Sequence, residues 1–325
     1  MSIFKTFGMI FTTILCVAIL AACGQSTTPT ASTSAPTSTD TPAPATDSTI
    51  TYQAANGEVK VPNHPQRAVV LADSYYGYLY ALGIKPIATI DYVFQSTFLK
   101  ESTEGVTNLG DKPDVEKILA LDPDLIVVWD NDANIEKYQQ IAPTVAIKYG
   151  QYTYQEQLQE IGKMTGTEDK AKELAATWES KIKEAKPKVQ AAVGDKTISI
   201  LQPYAKGIYA MGDTYGRGGE IIYGALGLKA TPMMQKEGID SGAGFASISL
   251  ENLPDFAGDY IFTSPWGGDD DKDGNTVYNS SLWKDLPAVK SNHVYRIDPV
   301  AYYFNDPISM NAQFDYIVKS LTQSQ

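Results

Sequence analysis

Cysteine is nearly absent from this 325-residue chain, which has only Cys16 and Cys23, both close to the N-terminus. No disulfide can staple the remainder, so its fold has to rest on a hydrophobic core. Histidine is as rare, with His64 in "PNHPQR" and His293 in "SNHVYRID" alone. No HExxH, histidine cluster or G-x-S-x-G elbow occurs, so the common zinc and serine-hydrolase constellations are missing. The chain is therefore expected to be no enzyme, with no catalytic residue and no metal ligand set. A free transition metal, which needs several His and carboxylate ligands, is a poor cargo. Arginine is restricted to Arg67, Arg217 and Arg296, and the net charge of −12 disfavours nucleic acid and anionic membrane surfaces as partners. A long apolar run is missing too, because "MIFTTILCVAIL" is short for a bilayer span.

That short run, with Lys5 before it, reads as a signal peptide over residues 1–22. Its end, Leu20-Ala21-Ala22-Cys23, resembles the lipobox of bacterial lipoproteins, which makes Cys23 the expected lipidation site. An ordinary signal cleaved near a chance cysteine is the alternative, and the lack of any other mature cysteine speaks against it. Two or more acyl chains hold where one does not, which puts the protein on the outer face of a cell membrane. Gly24 to Ser48 contains no aromatic and no large aliphatic residue, so residues 23–49 are expected to be a disordered tether about 25 to 30 Å from end to end. An O-glycosylated stalk has the same composition.

From Ile50 the pattern becomes α/β. The runs "RAVVLA", "KPIATI", "DLIVVW" and "TVAIKY" are compact and apolar, as in buried parallel strands, with helical spacing between them. They define one lobe over residues 50–165. A second lobe over 193–325 takes "TISILQ", "YIFTS" and "HVYRID" as strands. It ends in a helix capped by Asn305 or Asp306, with Pro307 in its first turn. Residues 166–192 are expected to be one long bridging helix, N-capped by Thr167, with Leu174, Trp178, Ile182, Ala185 and Val189 as its apolar stripe and Pro187 kinking or ending it. A weak repeat supports two similar lobes. Glu116 and Glu251 each stand eight residues before an aspartate, Asp124 or Asp259, that opens an apolar strand ending near a tryptophan.

Ligands of open α/β sheets sit beyond the carboxyl ends of the strands. The residues found there are strongly aromatic: Tyr75, Tyr92, Trp129, Tyr149 and Tyr152 in the first half, then Tyr204, Tyr209, Tyr215, Trp266, Tyr302 and Tyr303 in the second. Such a concentration predicts a ligand cleft. Arg217, in "YGRGGEIIYGALG", adds directed hydrogen bonds, and the glycines before a helix suggest an electron-rich ligand atom at its start. "DDDKDGN" places Asp269, Asp271 and Asp273 as in a calcium loop, but Ser280 replaces the bidentate glutamate, so a solvated acidic loop fits as well.

Taken together, the lipobox, the tether, "NLGDKPDVEKILALDPDLIVV", "GRGGEIIY", "LPAVKSNHVYRID" and "AYYFNDPISMNAQFDYIV" resemble the siderophore-binding lipoproteins of Gram-positive ABC importers. The resemblance implies two Rossmann-like lobes bridged by a rigid helix, a ferric siderophore between them, and delivery to a membrane permease. It also implies that Glu116 and Glu251 dock on permease arginines, and that Tyr215 and Arg217 contact the ligand. Iron then enters only as the siderophore complex, with no resident cofactor, and the protein is expected to be a monomer. One central arginine among aromatics favours a hydroxamate, which is neutral around iron, over an anionic catecholate or citrate. Lys148 or Lys206 would supply charge for a catecholate. Haem would need an axial ligand, for which His293, followed by a strand, is poorly placed while Met211, Met233 or Met234 would serve, and cobalamin, a surface hydrolase or an adhesin are further alternatives. The predicted cleft residues are Trp129, Tyr149, Tyr209, Tyr215, Arg217, Trp266, Tyr302 and Tyr303.

Overall fold

The computed structural model describes residues 48–267 and 272–323. The signal segment, Cys23, nearly all of the tether, Asp269 and Asp271 lie outside them. The described chain opens with an antiparallel hairpin, Thr49–Ala54 and Gly57–Pro62, which the sequence reading did not anticipate. Asn56, at its turn, docks it sideways. The Asn56 amide donates to the Thr144 carbonyl at 2.9 Å and accepts the Ala146 N–H at 3.0 Å. The hairpin thereby covers an edge strand that would otherwise be open.

Five parallel strands form the first sheet, in the order Thr107–Asn108, Ala88–Thr89, Ala68–Val70, Leu125–Trp129, Thr144–Ile147. Each predicted apolar run supplies one, and their side chains are buried because helices cover both faces. The chain leaves Ala68–Val70 for one neighbour and returns on the other side with Leu125–Trp129. That reversal opens a crevice at the carboxyl ends of these two strands, where Asp73, Ser74, Tyr75 and Trp129 stand.

The second sheet runs Phe245–Ile248, Gly207–Met211, Thr197–Tyr204, Tyr260–Thr263, Val294–Arg296, with Lys229–Ala230 pairing alongside Thr197–Tyr204. It departs from a fully parallel design, since Gly207–Met211 is antiparallel to both its neighbours. The weak repeat is structural. Asp124 accepts the N–H groups of Gln66 and Arg67 at 2.7 and 2.9 Å, and Asp259 accepts that of Thr197 at 2.8 Å. In both lobes the aspartate opening one strand ties down the start of the parallel strand beside it.

A helix over Glu168–Val193 follows the first lobe. Pro187 does not end it. A missing N–H costs one hydrogen bond, and packing of Trp178, Val189 and Val193 into the core outweighs that loss. Thr167 stands at the N-cap but makes no capping bond, because its hydroxyl pairs with that of Thr165 at 2.9 Å. The preceding helix, Tyr154–Thr165, was not predicted despite a complete capping box between Thr153 and Glu156. The bridging helix is not the only tie. Pro307–Thr322, capped by buried Asp306, sets Phe314 against Trp178 at 5.2 Å, and one core cluster runs through both sheets. Among the described residues no helix is long and apolar enough to cross a membrane.

Candidate functional site

The site is built around an unusual turn. Tyr215, Gly216, Arg217 and Gly218 all have positive φ, at 64°, 77°, 62° and 87°. Glycine reaches this region freely, but for tyrosine and arginine it is strained and persists only where surroundings enforce it. Three contacts do so. The Arg217 N–H donates to the Tyr302 carbonyl at 2.6 Å, the Gly216 N–H donates to Glu220 Oε1 at 2.8 Å, and the Tyr303 carbonyl lies where a Cβ on Gly216 would have to go. The predicted helix "GEIIYGALG" follows, as a π-helix over Glu220–Ala225. Its first N–H groups are spent inside the turn, with Gly219 donating to Gly216, and Ile221 and Ile222 to Gly218. The expected helix-start cradle for an electron-rich atom is therefore already filled by the chain itself.

What the turn presents is the side chain of Arg217, a residue only 8% exposed. It donates to the Tyr215 carbonyl at 2.8 Å and to Gln202 Oε1 at 3.3 Å, and lies 4.8 Å from the Trp266 ring and 5.1 Å from that of Tyr303. Burial lowers its pKa, and nearby Tyr149, Tyr92 and Tyr303 act in the opposite sense. Arginine stays charged under such conditions. Two carboxyls missed by the sequence reading stand close. Burial raises the pKa of Asp73 against bonds from Ser74, Trp129 and Tyr303, and raises that of Glu220 against the Gly216 bond and the attraction of Arg217.

Around the arginine runs a chain of rings drawn from both lobes. Trp129 meets Tyr149 at 5.4 Å, Tyr149 stacks on Tyr215 at 5.9 Å, and Phe245 links Tyr215 to Tyr209 at 6.4 and 5.9 Å. Tyr209 reaches Trp266 at 4.8 Å, and Tyr303 meets Tyr92 at 5.1 Å. Tyr149, Tyr215, Phe245 and Trp266 are 39 to 47% exposed, an aromatic patch that soluble proteins rarely leave bare without a use. Beside it a cavity of about 680 Å³ opens between the lobes, lined by Ser74, Tyr75, Trp129, Tyr149, Tyr215 and Tyr303 among others. Its size suits a small organic ligand.

The structure thus brings together Trp129, Tyr149, Tyr209, Tyr215, Arg217, Trp266 and Tyr303. Tyr302 is the correction. It is 3% exposed and packs on Phe98 and Tyr316, so it contributes its carbonyl to the arginine turn rather than a ring to the cleft wall. Phe245 was missed because it stands on a short antiparallel strand that lacks an apolar run. Of the candidate axial ligands for haem, Met211 and Met234 are buried in the core and Met233 is partly buried against it, while His293 stacks on Tyr260 at 4.5 Å. Arg67 is used structurally, donating to the carbonyls of Asp122 and Leu121, and Arg296 lies in a strand over Tyr278. Glu116 and Glu251 are both exposed near helix starts, one on each lobe. Lys272–Asn279 is helical, which places Asp273 in a helix rather than in a loop.

Comparison with known proteins agrees with this geometry. Residues 69–301 match the model of the periplasmic binding protein family. The iron(3+)-hydroxamate-binding protein FhuD of Bacillus subtilis (strain 168) is 50% identical over 324 residues, 99% of each chain. A crystal structure described as the periplasmic binding component of a Fep/Fec-like ferrichrome ABC transporter from Bacillus subtilis superposes with a TM-score of 0.80 at 52% identity, covering 84% of this chain and 100% of that one. FhuD2 from Staphylococcus aureus with bound ferrioxamine B gives 0.73 at 36% identity, covering 80% and 99%. Two α/β lobes around an arginine-centred aromatic cleft, matched over most of the chain, make this protein a member of the periplasmic binding protein family.

Proposed function

We propose that the chain captures a ferric hydroxamate siderophore and hands it to an ABC permease. The observation that carries this reading is Arg217, a buried arginine with no lysine or second arginine among its described ring and hydrogen-bond neighbours. A ferric tris-hydroxamate is neutral around the metal, whereas a tris-catecholate carries about three negative charges that one cation cannot balance in a low-dielectric cleft. Asp73 and Glu220 make the mismatch with an anion worse. The guanidinium supplies directed donors to the hydroxamate oxygens, and Trp129, Tyr149, Tyr209, Tyr215, Trp266 and Tyr303 wall the complex. The relatives named for hydroxamate, ferrichrome and ferrioxamine B support the same class.

The protein acts by binding and release, without catalysis. Glu116 and Glu251 project from equivalent places on the two lobes and dock on permease cations, while Cys23 anchors the chain by lipid to the outer membrane face as a monomer. Iron is carried only inside the siderophore. Titrating intrinsic tryptophan fluorescence with ferrichrome, ferrioxamine B, a ferric tris-catecholate, ferric citrate, haem and cobalamin tests the cargo class. Saturable quenching confined to the hydroxamates is expected. A preferred catecholate, citrate or haem would overturn the charge argument. For docking, the double variant Glu116→Ala/Glu251→Ala should bind the siderophore like the wild type yet fail to support uptake in cells.

A further inference from the structure

The cavity beside Arg217 has a chemistry of its own. Among the described residues its charged lining consists of Glu156, Glu179, Asp213 and Glu220, with no lysine or arginine. Glu220 is the deepest of these. Its Oε1 accepts the Gly216 N–H at 2.8 Å, while its Oε2 is buried and accepts no hydrogen bond of normal geometry. A buried acceptor left unmatched is costly unless a donor arrives. Trp129, Tyr149 and Trp178 add ring faces to the same cavity, and ring faces attract organic cations. Tyr215, Gly216 and Tyr303 line the cavity and also stand against Arg217, so the cavity and the arginine adjoin across these residues.

We propose that this cavity is a subsite for a cationic arm of the cargo, an ammonium on an alkyl chain, whose arrival turns the buried Glu220 Oε2 toward it as acceptor while the hydroxamate centre rests on Arg217. The inference builds on the hydroxamate reading and narrows it: the favoured ligand is a ferric trihydroxamate with a pendant amine. About 680 Å³ leaves ample room for such an arm. Glu179, on the bridging helix, adds long-range attraction, and no lysine or arginine stands in the lining to neutralise it.

Ferrioxamine B carries such a pendant amine, and acetylating that amine removes the charge while keeping the iron centre. The test is the ratio of the two dissociation constants for the intact protein. We expect ferrioxamine B to bind about tenfold more tightly than its N-acetyl derivative, a ratio in keeping with a partly buried ion pair. Raising the salt concentration should narrow it. Glu220→Gln keeps the acceptor for Gly216 and should bring the ratio close to one, and Glu179→Gln, on an exposed helix face, should lower it by about half. Equal affinities in the wild type, or a ratio unchanged in both variants, would overturn the subsite while leaving the hydroxamate reading in place. Binding of neither complex would overturn both.

Discussion

At the residue scale the decisive feature is an arginine held in a conformation it does not favour. Replacing Arg217 with alanine is expected to weaken hydroxamate binding by about ten- to a hundredfold, the range for losing hydrogen bonds from a charged donor. Arg217→Lys should recover little, because an ammonium cannot reproduce the planar fork. Isothermal titration with ferrichrome measures both, and circular dichroism checks that the fold survives. Gly216→Ala should act on the same site indirectly. Its φ of 77° and a Tyr303 carbonyl 2.7 Å from the new Cβ make the turn untenable without a shift, so both stability and affinity should fall. Arg217 and most of the rings were legible in the sequence because strand ends are where ligands gather. Asp73 and Glu220 were not, since a carboxylate gives no sequence sign of being buried.

These buried carboxyls also set a pH dependence. Burial raises the pKa of Glu220 above its ordinary value of 4.5, and likewise raises those of Asp73 and Asp306. In the window between the unfolded and the raised folded pKa the native state holds more protons than the unfolded one. These groups therefore contribute stability below the ordinary carboxylate range that is lost as pH rises through their folded values. As pH rises through this window, the melting temperature of the wild type should drop relative to that of Glu220→Gln. An unchanged slope in the variant would mean that Glu220 is not shifted.

At the scale of elements, short segments are held by specific caps more than by propensity. Asp306 accepts the N–H groups of Ile308 and Ser309 at 2.9 and 3.1 Å and the Ser309 hydroxyl at 2.7 Å, all out of water. Asp306→Ala should cost about 2 kcal/mol or more in urea unfolding, the upper range for a helix cap. Thr153→Ala, in the more exposed capping box, should cost about 1 kcal/mol. The two elements illustrate what sequence reveals. Asp306-Pro307 before an apolar helix was readable, whereas the equally explicit Thr153–Glu156 box follows an aromatic, polar loop that obscured where the helix begins. The antiparallel strands Gly207–Met211 and Phe245–Ile248 were missed for another reason. Phe245–Ile248 leaves an aromatic exposed, and Gly207–Met211 sets the half-buried Tyr209 between Ile208 and Ala210, so neither strand shows a clean apolar alternation.

At the scale of the whole molecule, two sheets grow from one plan. The Glu116 to Asp124 and Glu251 to Asp259 spacings were visible beforehand because each aspartate performs the same task, closing the start of a neighbouring parallel strand. The shared core was not visible, since packing of Phe314 on Trp178 joins residues far apart in sequence. With the bridging helix and the C-terminal helix both crossing between the lobes, binding is expected to shift them only slightly. Small-angle scattering should show a change in radius of gyration below about 1 Å on saturation with ferrichrome, within the range of pre-organised binders.

The proposed function turns on one contact, that of Arg217 with the iron-coordinating oxygens of a neutral cargo. A crystal structure with ferrichrome tests it most directly. Guanidinium nitrogens are expected within about 3 Å of hydroxamate oxygens, with Tyr215, Trp266 and Tyr303 against the complex. A ligand seated away from Arg217, or an arginine still turned toward Gln202 and bonded only to protein, would contradict it.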